Sequence, residues 1–503
     1  MTAGVRVMTF FSRNWKYILL ALLMYMPLFG KLDTLPIRDY DEARITINAY
    51  EMYKDGDWIV THYMGDPEMW NTKPPFLMWT QVMFTKMIGF NEIAMRLPSA
   101  FAGFFTCLAL LIFCIRYLRN EWLGIITVIS LITTNGYVHY HVTRTGDFDA
   151  LLTLFTTVSC LSFFAYCENL NLRFLYLFFF ALALGCLTKG IAALLFAPAL
   201  FAHALMQKRV FSLLKNQHFY AGIAMFLVLV LGYYLLRESR NPGYLEQVQI
   251  NELGGRYLES QGNQTHTFWF YYEKLTEFQV ADRFLLIPVG IIFGLLSRDP
   301  RLKKFTLFAT ILSVTFFLIV SGGKTRMEQY IAPLFPFFAW FVAVVIDQVF
   351  QWLRQLSWNQ DRIRKNILPY LFLFFVIYSP YRMIWAKTYT PAESYYWDVA
   401  YYELPNFFKK ALRGKYDLNG TKVIFGGYNA HILFYIYALN EKGVDIHYTN
   451  PSEIREGENI ITYQEELKQY IRDNFNSTEN KISGAVSVFS VTTRREAGEP
   501  VQQ

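Results

Sequence analysis

Long apolar runs separated by short polar segments fill the first 386 residues of the chain. A helix of roughly 20 apolar residues spans a bilayer, and fewer suffice where the helix is flanked by aromatic residues. This pattern predicts about eleven transmembrane helices, near residues 17–29, 97–116, 121–139, 150–167, 173–188, 190–206, 219–236, 284–297, 305–320, 330–350 and 367–385. We interpret the first as an uncleaved helix because no small-residue cleavage site follows it.

The pattern changes after residue 386, where short apolar runs alternate with polar helical segments. Strands are predicted over 422–425, 445–448, 459–462 and 485–491, and helices over 429–438 and 464–474. We therefore expect a transmembrane domain over 1–386, with a polar loop over 33–97, and a small α/β domain over 387–503. The tail from Thr492 is expected to be disordered.

Lysine and arginine residues occupy alternate loops between the apolar runs. Arg116 and Arg119, Lys208 and Arg209, and Lys303 and Lys304 all fall on one side if the N-terminus is cytoplasmic. This distribution obeys the positive-inside rule. On this topology the loop over 33–97, the turn over 139–149 and the α/β domain face outward.

Composition narrows the class of protein. Hydrophobic residues make up 53% of the chain and charged residues only 17%, which is too apolar for a water-soluble protein of 503 residues. The net charge of +7 is spread over short interhelical clusters, so no nucleic-acid partner is expected. All five cysteines lie in or beside apolar runs, which excludes a disulfide framework and a zinc knuckle.

Three carboxylates open a helical pattern in the loop over 33–97. Asp39 and Glu42 have the spacing of a capping box, in which side chains bind the free N–H groups at a helix start. Asp41 has no such structural task and would lie at the tip of the helix. It is therefore a candidate general base, and we count its neighbour Glu42 among the candidate catalytic residues.

A second pair of carboxylates precedes the helix predicted over 150–167. For Asp147 we predict a helix-capping role. Asp149 is followed at once by an apolar run and therefore lies at the mouth of the membrane, where an ionisable group is costly and usually functional. Together with the first loop it predicts a paired-carboxylate site.

Several cations are predicted at the same membrane level. They are Arg44, Lys73, Lys189, Arg256 and Lys324. The position of each cation, taken alone, is explained by snorkelling of its side chain to the membrane surface. For Arg256, which lies in a polar loop, a solvated charge is the better explanation. Lys189 and Lys324, however, lie on the outer side against the positive-inside trend, so together the cations favour an anionic ligand such as a lipid phosphate.

Four segments carry a family resemblance. The runs DYDEARITINAYEMYKDGDWIV with NTKPPFLMW, RTGDFDALL, LTKGIAALL and GGKTRMEQYIAPLFP resemble the polytopic GT-C glycosyltransferases that use polyprenyl-phosphate sugars. The chain is most similar to the bacterial aminoarabinose (lipid A) transferase branch and its protein O-mannosyltransferase relatives. The match extends in order from the first helix to about residue 340.

The resemblance implies an inverting sugar transfer from a polyprenyl-phosphate carrier on the extracytoplasmic face of the bacterial inner membrane. Asp41 would accept the proton of the acceptor hydroxyl, and Asp149 would orient the acceptor or share that task. The residues expected to hold the lipid phosphate are Lys73, Lys324, Arg44, Lys189 and Tyr330. The donor sugar stays open, and so does the choice between a lipid A-like, another lipid or a protein acceptor.

No cofactor is required for such a single displacement. Some aminoarabinose transferases bind a divalent metal through an outer-loop histidine. His266 lies near the position expected for this histidine but at a different spacing. A lone histidine before an aromatic run is more often an interfacial packing residue than a ligand. His266 is therefore a weak candidate for a metal site.

Three other functions remain open from the sequence. A protein O-mannosyltransferase-type enzyme would differ only in its acceptor. A transporter should show charges at mid-span or helices broken in two repeated halves, and a glycan-binding protein would have no need of Asp41 together with Asp149. Neither a repeat nor mid-span charge is evident, so the transferase is the preferred hypothesis.

Overall fold

The computed structural model describes residues 3–254, 266–356, 364–389 and 396–495. The α-helices are α1 (Ala3–Phe29), α2 (Asp41–Asp55), α3 (Phe76–Ile88), α4 (Glu92–Phe113), α5 (Glu121–Ile132), α6 (Asp149–Asn169), α7 (Leu172–Lys189), α8 (Ala197–Met206), α9 (Val210–Leu214), α10 (Gln217–Arg240), α11 (Tyr244–Val248), α12 (Phe270–Lys274), α13 (Leu286–Leu296), α14 (Pro300–Gly322), α15 (Phe335–Gln355), α16 (Arg364–Tyr389), α17 (Tyr396–Leu412), α18 (Ala430–Asn440) and α19 (Glu465–Asn474). The strands are β1 (His62–Tyr63), β2 (Asp66–Pro67), β3 (Thr421–Val423), β4 (Ile446–Tyr448), β5 (Asn459–Thr462), β6 (Phe475–Ser483) and β7 (Val486–Arg494).

Helices occupy all the predicted membrane positions. Within the described ranges, 7 helices are long and apolar enough to cross a membrane, and the other predicted spans overlap the shorter apolar helices Asn14–Phe29, Glu121–Ile132, Ala197–Met206 and Leu286–Leu296. The bounds predicted for 121–139 and 190–206 are wrong, since α5 ends at Ile132 and α8 begins only at Ala197. Helices suit these runs because each backbone N–H and C=O finds its partner within the segment. The chain is a multi-pass helical membrane protein, and the number of eleven spans stays a prediction.

The loop between the first two membrane helices has its own fold. The predicted helix at its start is confirmed as α2, and β1 and β2 form a short antiparallel hairpin. The sequence did not predict α3, because this mostly apolar helix of 13 residues is too short for a span. This helix places Leu77 and Met78 in the same buried cluster as Ala94 and Met95 of α4, so the loop is packed onto the membrane helices.

The C-terminal residues form the predicted α/β domain around a 5-stranded sheet with the order β4-β3-β5-β7-β6. β3 pairs in parallel with β4 and β5, whereas β7 is antiparallel to both β5 and β6. The polar edge strand β6 was missed because its sequence, FNSTENKIS, lacks an apolar alternation. The predicted disorder from Thr492 is wrong for the first residues of that tail, since β7 continues to Arg494 and pairs it with Phe475.

This domain packs directly on the loop. Ile45 and Ala49 of α2 share one buried apolar cluster with Ile432 and Phe434 of α18. Aromatic contacts join the same surfaces, and the rings of Tyr50 and Tyr437 stack with centroids 4.6 Å apart. The loop therefore lies between the membrane helices and the α/β domain.

A glycine sets the closest approach of two membrane helices. A Cβ atom on Gly290 of α13 would overlap the backbone carbonyl of Phe341 on α15. Small residues at such crossings let helix backbones pack closely in the absence of a hydrophobic driving force.

Gly290→Ala should therefore lower the free energy of unfolding by about 1–3 kcal/mol, because the added methyl group forces the two helices apart. Thermal unfolding of the detergent-solubilised protein measures this. Gly232→Ala is the matched control, since a Cβ there meets nothing within 4 Å. Equal melting temperatures for the two variants would contradict the prediction.

Candidate functional site

The carboxylates predicted from the two loops converge at the outer end of the helix bundle. Asp41 is the first residue of α2 and is exposed, whereas Asp147 and Asp149 are buried at the start of α6. Ligand atoms of Asp41, His141 and Asp147 all lie within 4.8 Å of one another. Asp41 and Asp147 thus lie close together with the imidazole of His141, whereas the carboxylate of Asp149 pairs with Lys189.

Neither predicted helix cap is formed. Tyr40 precedes α2 and Phe148 precedes α6, and neither helix start has a side-chain cap. Asp39 instead lies 3.0 Å from Nδ1 of His431, and Asp147 accepts a hydrogen bond from the hydroxyl of Thr145. Both carboxylates therefore contact other residues instead of capping the helices, which was the role predicted from their spacing.

His141 is the site residue that sequence reasoning missed. Its Nδ1 lies 3.5 Å from Oδ1 of Asp147. Burial disfavours the charged imidazole, but Asp147, with Asp41 and Asp149 nearby, outweighs this and raises the pKa of His141 to about 9. His141 is therefore a cation at neutral pH. The only signal in the sequence was a histidine six residues before Asp147, which is too weak to use.

Glu42 has hydrogen-bond partners that account for its buried position without a catalytic role. It is buried and accepts hydrogen bonds from Nε and Nη2 of Arg96 at 2.6 and 2.9 Å. It also accepts from the backbone N–H groups of Arg38 and Gly146. Glu42 thus ties both outer loops to α4, and its predicted catalytic role stays a prediction.

Two of the predicted lysines form ion pairs close to these carboxylates. Nζ of Lys189 lies 2.6 and 2.7 Å from the two carboxylate oxygens of Asp149 and 5.1 Å from the ring centroid of Tyr330. Nζ of Lys73 lies 3.2 Å from Oε1 of Glu252. Glu252 carried no recognisable motif, so the sequence could not identify it.

These pairs border an amphipathic cavity of about 110 Å³, which we call the Lys189 cavity. Its polar lining residues are Asp149, Lys189, Glu252, Thr325 and Tyr330. Its apolar wall is formed by Leu152, Ile191, Ala192, Leu195, Phe316 and Val320. A cavity lined by both charged and apolar side chains suits a phosphate attached to a hydrocarbon chain.

The remaining predicted residues lie outside this cavity. Arg44 donates two hydrogen bonds to Glu68, at 2.7 and 2.9 Å, and covers the ring of Tyr63. Lys324 is exposed, although its neighbour Thr325 lines the cavity. Arg256 falls outside the described residues.

His266 belongs to a different, polar cavity. This cavity of about 350 Å³ lies on the His141 side of the carboxylates and includes Arg38, Lys274 and Arg326 in its lining. The His266 ring stacks on Phe270 with centroids 4.2 Å apart. Among the described residues, the group that could hold a metal ion is Asp41, His141 and Asp147, and His266 is not part of it.

Known proteins resemble this chain in sequence and in fold. The sequence model of the dolichyl-phosphate-mannose-protein mannosyltransferase family matches residues 72–234. The undecaprenyl phosphate-alpha-4-amino-4-deoxy-L-arabinose arabinosyl transferase of Aeromonas salmonicida is 25% identical over 66% of this chain and 59% of its own. The enzyme of the same name from Serratia proteamaculans is 25% identical over 70% of this chain and 62% of its own. The chain thus spans less than two thirds of these relatives.

The fold is similar along almost the whole chain. The crystal structure of ArnT from Cupriavidus metallidurans bound to undecaprenyl phosphate superposes with a TM-score of 0.71 at 15% identity and covers 95% of this chain and 98% of that one. The archaeal oligosaccharyltransferase AglB from Archaeoglobus fulgidus gives a TM-score of 0.53 at 12% identity, over 85% of this chain and 64% of that one. The predicted GT-C fold and the resemblance to the aminoarabinose transferases are confirmed.

Proposed function

We propose that this protein is an inverting glycosyltransferase that moves a sugar from a polyprenyl-phosphate carrier to a lipid A-like acceptor. The observation that carries the proposal is the grouping of Asp41 and His141 with Asp147, two residues before Asp149, whose ion pair with Lys189 lines a cavity with many apolar residues. The names of its relatives support a transferase over a transporter or a glycan-binding protein. The outward orientation of the loops and of the α/β domain, in a bacterial inner membrane, is part of the proposal.

The reaction is a single displacement at the anomeric carbon of the donor sugar. The acceptor oxygen forms a bond to that carbon while the bond from carbon to the phosphate oxygen breaks, and the acceptor proton passes to the exposed carboxylate of Asp41. The departing phosphate gains negative charge, which is neutralised by Lys189 in the lining of the cavity and by Lys73, which pairs with the lining residue Glu252. Asp149 fixes Lys189 through two short hydrogen bonds.

The carboxylate of Glu252 occupies a place beside Lys73 that the donor phosphate would take. Its carboxylate pairs with Lys73 and lines the Lys189 cavity. A donor phosphate that binds Lys73 therefore has to replace this carboxylate. The ion pair keeps Lys73 from being an uncompensated buried charge while the carrier is absent.

A protein O-mannosyltransferase-type reaction is the second candidate. The family model that matches residues 72–234 supports it, because its description names protein as the acceptor. The two candidates share the donor chemistry of the site and differ in the acceptor.

Asp41→Asn should reduce sugar transfer by about 10²- to 10⁴-fold, because an amide cannot accept the acceptor proton. The measurement is release of polyprenyl phosphate from a panel of synthetic polyprenyl-phosphate sugars, with a lipid extract and a protein extract offered as acceptors. The labelled extract distinguishes the two candidate functions. Asp55→Asn, at the exposed far end of the same helix, is the matched control. An active Asp41→Asn enzyme would show that another group is the base.

Lys73→Ala should weaken the binding of polyprenyl phosphate about tenfold or more, since a charge-assisted contact to the phosphate is lost. Equilibrium binding to the purified protein measures this without turnover. Glu252→Gln is the opposite test, because it removes the carboxylate that competes for Lys73, and it should tighten binding. If neither substitution changes the dissociation constant, the phosphate does not bind at Lys73.

We expect no divalent metal to be required, so a chelator should leave the transfer rate unchanged. A single displacement needs no Lewis acid where Lys73 and Lys189 neutralise the departing phosphate. Transfer is measured before and after treatment with EDTA. A loss of activity that added zinc, manganese or magnesium restores would instead assign Asp41, His141 and Asp147 as metal ligands.

A further inference from the structure

Side chains of the C-terminal α/β domain and of α17 bind the backbone that leads into Asp41. The hydroxyl of Tyr435 accepts a hydrogen bond from the N–H of Ile37 at 3.0 Å, and the hydroxyl of Tyr402 accepts from the N–H of Asp39 at 3.3 Å. The hydroxyl of Tyr428 donates to the carbonyl of Tyr40 at 3.4 Å. Neighbouring positions of one short segment are therefore held by groups that lie more than 360 residues later.

The most buried of these contacts joins Asp39 to His431. Oδ1 of Asp39 lies 3.0 Å from Nδ1 of His431, and their side chains are 2% and 0% exposed. A buried carboxylate is costly unless it has a partner, and His431 lies at ion-pair distance from Asp39, so we expect this contact to hold the side chain two residues before Asp41. The ring of His431 also packs edge-on against Tyr402, with centroids 5.5 Å apart.

Tyr40, between Asp39 and Asp41, has a strained backbone. Its φ is 65° and its ψ is −112°, in a region that residues with a Cβ atom seldom adopt. Strain of this kind persists only where surrounding contacts impose it. Here the ring of Tyr40 stacks on Tyr428 with centroids 5.5 Å apart, so the α/β domain supplies those contacts.

This conformation sets the position of Asp41. Because α2 begins at Asp41 immediately after the strained residue, the direction in which its carboxylate points depends on the turn at Tyr40. The body of α2 is held separately by its apolar contacts with α3 and α18. Loss of the turn would therefore move Asp41 more than it would move the helix.

We infer that His431 is a positioning residue for Asp41, and that the C-terminal α/β domain acts in the reaction by holding residues 37–40 in the conformation that presents Asp41 to the acceptor. The inference rests on the proposed role of Asp41. His431 does not touch the reacting atoms, and its effect on the reaction passes through Asp39 and the turn at Tyr40.

The test compares three substitutions in the full-length protein. His431→Phe keeps a ring against Tyr402 but removes Nδ1, and it should lower kcat about ten- to a hundredfold, the loss expected when a reacting group moves by about 1 Å. His431→Asn places an amide near the position of Nδ1 and should restore part of the rate. His447→Phe is the matched control, since His447 contacts Asp445 on the exposed surface of the same domain.

Two further measurements separate positioning from simple loss of the fold. The dissociation constant of polyprenyl phosphate should not change in His431→Phe, because the Lys189 cavity is untouched. Backbone amides of residues 37–41 should exchange hydrogen for deuterium faster, while those of the α/β sheet should not. Tyr402→Phe and Tyr435→Phe, which each remove one hydroxyl, should give smaller changes of the same kind.

The inference is overturned if His431→Phe has the kcat of His447→Phe. It is also overturned if kcat falls only together with the melting temperature and donor binding, since His431 would then be a structural residue. If Asp41→Asn transfers sugar normally, the proposed function fails. In that case the exchange of residues 37–41 still reports whether His431 holds the segment.

Discussion

Compensation of buried carboxylates by nearby cations is the constraint on which the outer end of this helix bundle depends. Glu42 is paired with Arg96, Asp149 with Lys189, and Asp147 with the charged imidazole of His141. Removing one partner of such a buried pair typically costs about 3–5 kcal/mol, because the other charge is left uncompensated. The pairs connect residues on different loops and helices, so charge neutralisation also fixes how these elements meet.

The same constraint divides the carboxylates into two groups. Those with buried partners, such as Glu42, serve to hold backbone segments together. Asp41 is exposed at the start of its helix, close to Asp147 and His141, and this leaves its carboxylate accessible. Chemistry at the site is therefore expected at the one position of the cluster where desolvation does not demand a fixed partner.

Much of the fold followed from the sequence because membrane spans are local features. Apolar runs fixed the helix positions, and the alternation after residue 386 indicated the α/β domain. The first-loop helix was also predictable, and so was the nearness of Asp41 to the second loop, although the carboxylate that lies close to Asp41 is Asp147 and not the predicted Asp149. The polar strand β6 and the short helix α3 were not, because their sequences lack the period or the length on which such predictions rest.

The pairing of charged residues could not be predicted, because it depends on contacts between distant parts of the chain. The spacing of Asp39 and Asp147 suggested that they cap helices, but their side chains contact His431 and His141 instead. Arg96 lies within an apolar run and Glu252 within a featureless loop, and neither carried a signal of its partner. In these cases tertiary contacts override the local pattern, as is common at functional sites.

The contact between Asp39 and His431 also bears on how the protein matures. Asp39 is synthesised with the first loop, whereas Tyr402, His431 and Tyr435 are synthesised only after helices α1 to α16, and the Ile37–Tyr435 contact spans 398 residues. A chain whose helices have all been inserted still lacks the groups that shape the turn at Tyr40. Completion of the site is thus coupled to folding of the C-terminal α/β domain, and a chain truncated before that domain would insert its helices but lack the contacts that shape the turn at Tyr40.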